Sequence, residues 1–132
     1  MNIENLNLEK FSGMGSKVSR KISITKSYSF GIPPVFFKEN NLEQYNYVAV
    51  FYDKTANVIA FKFEKEDVGE VFKLVKYGSG TRRGASFVAR SFFNTYGIDP
   101  VKYKGKYEAN KGEKEDIGEI YWIELGEPKP KE

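Results

Sequence analysis

The sequence contains no cysteine and no histidine. Without cysteine there are no disulfides and no thiolate metal sites. Without histidine the commonest general base and the commonest zinc ligand are both missing. Ser–His, Cys–His and His–metal mechanisms are therefore closed, and no carboxylate pair stands out to replace them. The chain reads as a non-enzymatic protein that needs no cofactor and no metal. No stretch approaches the roughly 18 apolar residues that span a bilayer, and the polar first ten residues lack the apolar core of a signal peptide. The expected setting is the cytoplasm, with no membrane partner.

What is present is aromatic. Of 132 residues, 16% are Phe, Tyr or Trp, with eleven Phe and nine Tyr. Phe and Tyr favour strands and bury much surface per residue. A chain of this length forms one domain by default. The expectation is a mainly β, α+β domain over residues 16–126, preceded by a flexible arm (1–15) and followed by a disordered tail (127–132).

Val18, Ile22 and Ile24 alternate with polar residues, which predicts a strand over 17–26. A turn containing Gly31 follows. Pro33 and Pro34 then open a short helix over 35–41, because proline lacks only an N–H that the first helical turn leaves unused. Two β-rich runs, 47–52 and 58–63, flank a hairpin loop at 53–57, where Asp53 and Asn57 suit turn chemistry. The outline then recurs: a strand over 71–77, a glycine-rich basic loop over 78–84 and a helix over 85–96 that Gly97 stops. A second hairpin joins 103–109 to 117–125 around Asn110, Lys111 and Gly112.

The recurrence points to an internal repeat of β-α-β-β units, 16–66 and 70–126. Phe36-Phe37 aligns with Phe92-Phe93, Leu42 with Ile98, Glu43 with Asp99, Tyr47 with Tyr103 and Phe51 with Tyr107. After a longer second loop, Phe61 and Phe63 align with Ile123 and Leu125. One unit is too small to bury both its faces, whereas two can cover each other.

The run Ile22-Ser23-Ile24-Thr25-Lys26, followed by Phe30-Gly31-Ile32-Pro33, resembles the AbrB/MazE/SpoVT type of swapped-hairpin DNA-binding domain. Leu42 sits where that family closes its helix, and residues 47–63 resemble its terminal hairpin. The second half follows the outline through Phe93, Gly97, Ile98, Asp99 and Pro100 but lacks the Ile-Pro. The resemblance covers about a third of the chain. It implies two units interlaced into one swapped-hairpin-like barrel, with basic residues near the strand–helix turn on DNA. It also implies a homodimer as one state of assembly.

Charge is partitioned in the same rhythm. Between Lys17 and Lys38 the sequence has Lys17, Arg20, Lys21, Lys26 and Lys38 and no acid. Between Val71 and Ile98 it has Lys73, Lys76, Arg82, Arg83 and Arg90, again with no acid. Residues 39–70 carry seven acids against three bases. Cations gathered in equivalent elements suit a phosphate-neutralising face, and arginine suits bidentate contacts to phosphate or guanine. The expected activity is DNA binding, in transcriptional regulation, through Arg82, Arg83 and Arg90, supported by Lys17, Arg20, Lys21, Lys26 and Lys76. The stretch from Gly78 to Thr81 lacks the Gly-Lys-Ser/Thr ending of a P-loop. Tyr28, Phe30 and Tyr77 are stacking candidates if exposed and core residues if not. Glu113, Glu115, Asp116 and Glu119 lack calcium-loop spacing and read as a solvated hairpin. The competing reading is a protein-interaction or antitoxin-like module in which the basic residues are incidental.

Overall fold

The computed structural model describes Glu4, residues 6–8 and residues 20–126. Lys17 and most of the expected arm and tail lie outside the described residues. The described chain forms two antiparallel five-stranded sheets and a few short helices.

Sheet A has the order β6-β7-β2-β1-β8, built from β1 (Ile22–Thr25), β2 (Ser29–Ile32), β6 (Val75–Tyr77), β7 (Gly84–Val88) and β8 (Gly105–Tyr107). Sheet B has the order β5-β3-β4-β10-β9, built from β3 (Tyr47–Asp53), β4 (Val58–Glu64), β5 (Phe72–Lys73), β9 (Asn110–Lys114) and β10 (Gly118–Glu124). Each sheet has a central seam where a strand from the first half meets one from the second, β2–β7 and β4–β10, and the halves meet again at β1–β8 and β3–β5. In sheet A, Phe30 lies opposite Phe87. In sheet B, Ile59 lies opposite Ile123 and Phe61 opposite Tyr121.

The inward residues alternate with outward ones, as strand geometry requires. Phe30, Ile32, Ala85 and Phe87 of sheet A are buried, as are Ile59, Phe61, Tyr121 and Ile123 of sheet B. Phe30 occupies the centre, its ring stacked on Phe87 at 5.1 Å and on Phe93 at 5.2 Å, and edge-on to Phe61 at 5.0 Å. Such pairs add roughly 0.5–1.5 kcal/mol beyond their area.

Two helices lead their Phe pairs into this core. Helix α1 (Pro34–Glu39) buries Phe36 and Phe37, and α2 (Arg90–Tyr96) buries Phe92 and Phe93. Both open on the same bond, Phe37 N–H to the Pro33 carbonyl and Phe93 N–H to the Ala89 carbonyl. Gly97 ends α2 at φ 64°, a left-handed cap that glycine reaches without strain. A further short helix, α3 (Pro100–Tyr103), is N-capped by Asp99, whose carboxylate accepts from Val101 N–H at 2.9 Å.

Several expectations are corrected. The sheets stay open, so there is no closed swapped-hairpin-like barrel. The chain crosses from sheet to sheet between β2 and β3, at Leu74 and after Tyr107, yet no ladder joins β5 to β6 or β8 to β9 among the described residues. The expected helix over 85–96 begins as strand β7, because Ala85 and Phe87 pair with β2 and face the core. The strand over 71–77 splits at buried Leu74 and serves both sheets. Gly31 lies inside β2, and the turn before it runs through Lys26, Ser27 and Tyr28. The second hairpin turns at residues 115–117 instead of at Asn110–Gly112, whose residues belong to β9. Tyr103 and Tyr107 therefore serve α3 and β8, in place of a counterpart of β3.

Candidate nucleic-acid interface

The predicted cations do not converge on one face. Arg83 and Arg90 lie off opposite ends of β7. Arg20 and Lys21 precede β1, whereas Lys26 lies in the turn at its far end. Lys17 is outside the described residues.

Several cations are also held by acids that are distant in sequence. Arg20 Nε meets Glu39 Oε1 at 3.0 Å. Arg83 Nε meets Glu43 Oε1 at 3.1 Å, and Lys76 Nζ meets Glu43 Oε2 at 3.6 Å. Lys76 also donates to the Glu43 carbonyl oxygen and to Asn46 Oδ1. Thus the acidic middle segment returns two carboxylates to the basic elements. Arg90 lies 4.3 Å over the ring of Tyr28, a cation–π contact. Tyr28 itself sits at φ 63°, which is uncommon for a bulky side chain, and packs edge-on against Phe93 at 5.9 Å. Arg82 and Lys26 are exposed, and no carboxylate lies within 4.0 Å of either among the described residues.

The stacking candidates separate. Phe30 is fully buried. Tyr77 is half exposed, with its hydroxyl donating to the Ile32 carbonyl at 3.3 Å. Trp122 lies on the outer side of sheet B, with its ring over Gly112, where a Cβ would come within 2.9 Å of it. The acidic hairpin is laced by its own lysines, Lys114 to Asp116 at 2.7 Å and Lys111 to Glu119 at 3.7 Å. The Lys114 hydrogen bond draws the Asp116 carboxyl below its ordinary range.

A different feature emerges from the pairing. The strands of sheet A contain Lys76 and Lys106 and no acidic residue. Those of sheet B contain five acids: Asp53, Glu64, Glu113, Glu119 and Glu124. The outward face of sheet A is rich in hydroxyls. One row across it reads Val75, Ser86, Gly31, Ser23, Lys106, and the next Val88, Ser29, Thr25. A side chain at Gly31 would press on the Ser23 hydroxyl, so glycine keeps the row low. Val75 and Val88 are more than half exposed there, whereas the helices pack on the inner side through Phe92 and Phe93. Lys26 and Arg90 flank the strand ends at one end of sheet A, and Arg82 precedes β7 at the other.

The hydroxyl row and Lys106 went unseen in the sequence. Alternation at Gly84–Val88 could have shown the row, but Phe87, Val88, Ser91 and Phe92 also fit helical spacing. The chain matches no protein-family model, no curated protein and no solved structure.

Proposed function

We propose that the protein binds nucleic acid, with duplex DNA as the first ligand, through the outer face of sheet A. The observation that carries this reading is the absence of any acidic residue from the strands of sheet A, against five in sheet B. A phosphate backbone can lie on a face that offers Ser and Thr hydroxyls and main chain at close range, with cations at its rim. The duplicated-unit reading agrees with it, since both halves contribute to that face. The resemblance of residues 22–33 to the swapped-hairpin DNA-binding domains supports a role in transcriptional regulation.

Fluorescence anisotropy with labelled duplex DNA tests the proposal at about 50 mM salt, where phosphate contacts are strong. Binding should weaken with salt, and each cation removed from the rim should lower the logarithmic salt slope by about one. Ser86→Glu places a carboxylate on the face without touching the core and should weaken binding at least about tenfold. Wild-type affinity in that variant, or no binding of duplex DNA, single-stranded DNA or RNA, would refute the proposal.

A second reading, protein interaction, rests on another surface. The outer side of sheet B has a hollow of about 480 Å³ lined by Phe51, Val58, Ala60, Ile120 and Trp122. Stoichiometric capture of a protein partner that Phe51→Asp abolishes, with no affinity for nucleic acid, would favour it.

A further inference from the structure

The outer side of sheet B carries two aromatic–acid pairs that face each other. On β3, Phe51 and Asp53 lie on the outer face, two residues apart. On β10, Trp122 and Glu124 do the same, since Tyr121 and Ile123 are buried on the other face. Strand β4 runs between them, and its register sets the pairs level. Phe51 lies opposite Ala60 and Ala60 opposite Trp122; Asp53 lies opposite Val58 and Val58 opposite Glu124. The two walls are therefore two strand spacings apart, about 10 Å. Val58 and Ala60 are small, and they floor the hollow of about 480 Å³ between the walls.

The walls are unengaged. Neither Phe51 nor Trp122 stacks on another ring among the described residues. Asp53 and Glu124 are exposed, and no Lys or Arg nitrogen lies within 4.0 Å of either carboxylate among the described residues. The lysines of the same face are already held, Lys62 by Glu64 at 3.2 Å and Lys114 by Asp116 at 2.7 Å. Two uncompensated negative charges thus stand beside two aromatic rings, and the face of such a ring attracts a cation.

Shape and charge select the ligand. Enclosed small-molecule pockets bury about 70–90% of their ligand. This trough is open, with both acids at the surface, and suits one side chain offered by another protein. Among cationic side chains, arginine is flat, stacks on aromatic rings and bonds carboxylates through a planar fork. We propose that the trough receives an arginine side chain of a protein partner, with the guanidinium between Phe51 and Trp122 and its N–H groups on Asp53 and Glu124. This assignment rests on the protein-interaction reading of sheet B and is independent of nucleic-acid binding at sheet A.

Trp122 is the one tryptophan of the chain, so its emission reads the trough directly. The test titrates the full chain at low salt with the peptide Gly-Ser-Arg-Ser-Gly, blocked at both ends. Trp122 emission and the amide resonances of Val58 and Ala60 should shift. The same peptide with lysine should bind more weakly, and with citrulline, flat but uncharged, it should leave both signals in place. Asp53→Asn combined with Glu124→Gln removes the charge, keeps the walls and should weaken the arginine peptide about tenfold, the scale of two exposed charge pairs. Phe51→Leu keeps the bulk, removes the ring face and should weaken it about twofold or more. Free arginine, whose own carboxylate would meet Asp53 and Glu124, should bind more weakly than the peptide. Unmoved signals at tens of millimolar peptide, equal binding of the citrulline or lysine peptide, or wild-type affinity in the double variant would overturn the arginine site. Free arginine binding as tightly as the peptide would overturn the partner in favour of a small molecule. A Trp122 shift on concentrating the protein alone, abolished by Arg82→Ala, would overturn it in favour of a second copy of this chain. Capture of a partner that Phe51→Asp abolishes would persist if only the arginine assignment failed, and duplex binding that Ser86→Glu removes would persist if both did, so the proposals fail separately.

Discussion

At the scale of single residues, every buried side-chain nitrogen or oxygen among the described residues has a hydrogen-bond partner. Tyr121 is buried among Phe36, Phe61 and Phe63, and its hydroxyl donates to Glu119 Oε1 at 3.1 Å. Burial, then the Glu119 charge and this hydrogen bond, push the phenol well above its ordinary value of 10.0. Burial likewise raises Tyr52 and Tyr107. The sign follows from linkage. Below about pH 10 the phenols are protonated in both folded and unfolded chains, so their contribution to stability is complete. Above it the unfolded phenols lose protons that the folded ones keep, and stability falls as pH rises toward the folded values. Denaturant melts through the alkaline range should show this decline, and Tyr121→Phe should flatten it while Tyr52 and Tyr107 preserve a remainder. An unchanged slope in Tyr121→Phe would show that this phenol is not held neutral by the fold.

At the scale of elements, β7 decides the most. It pairs with β2 on one side and β6 on the other, and presents Phe87 to the core. Phe87 stacks on Phe30 at 5.1 Å and on Phe72 at 6.2 Å. Phe87→Ala should cost about 3–5 kcal/mol, the range for emptying a buried aromatic site, read as a drop in the denaturant midpoint. A cost near zero would place Phe87 outside the core. This element also shows how far sequence alone reaches. The β3–β4 hairpin was legible because Val48, Ile59, Phe61 and Phe63 alternate cleanly around an Asp53–Asn57 loop whose turn chemistry is local: Ala56 N–H donates to Asp53 Oδ1 at 3.0 Å, and Asn57 takes φ 56°. Helix α1 was legible from its prolines, and the end of α2 from Gly97. The β7 segment fits both periods, and only its long-range partner Phe30 settles the choice. The sheet switch at Leu74 and the pairing of β8 with β1 are equally non-local. The candidate interface was less legible than the fold. Arg82, Arg83 and Arg90 were visible as charges, but the return of Glu39 and Glu43 to the basic elements, and the alignment of Ser23, Gly31 and Ser86 in one row, depend on register between distant strands.

At the scale of the whole molecule, the two halves have no separate cores. The first half contributes β1–β2 to sheet A and β3–β4 to sheet B, and the second half contributes β6–β7 and β8 to sheet A and β5 and β9–β10 to sheet B. Taken alone, each half is two hairpins and short helices, to which the second half adds the lone strands β5 and β8, and its central strands would expose Phe30 and Phe61, or Phe87 and Ile123. Two-stranded hairpins are marginal in water, and a chain of about 60 residues buries too little surface to compensate. Residues 65–70 between the halves are exposed, so the chain can be cut there without touching either seam. We therefore expect a chain nicked between Asp67 and Val68 to keep its fold, because both seams persist. The separated fragments 1–67 and 68–132 should each be largely unfolded by circular dichroism and amide NMR. Mixed at equal concentration, they should recover the spectrum of the intact protein, with a midpoint that rises with concentration as for any bimolecular assembly. The DNA affinity proposed for the outer face of sheet A should appear only with the refolded pair, since that face is complete only when β2 meets β7. A fragment that folds alone would mean that one half has a sufficient core of its own, and the seams at Phe30–Phe87 and Ile59–Ile123 would then be contacts between finished units.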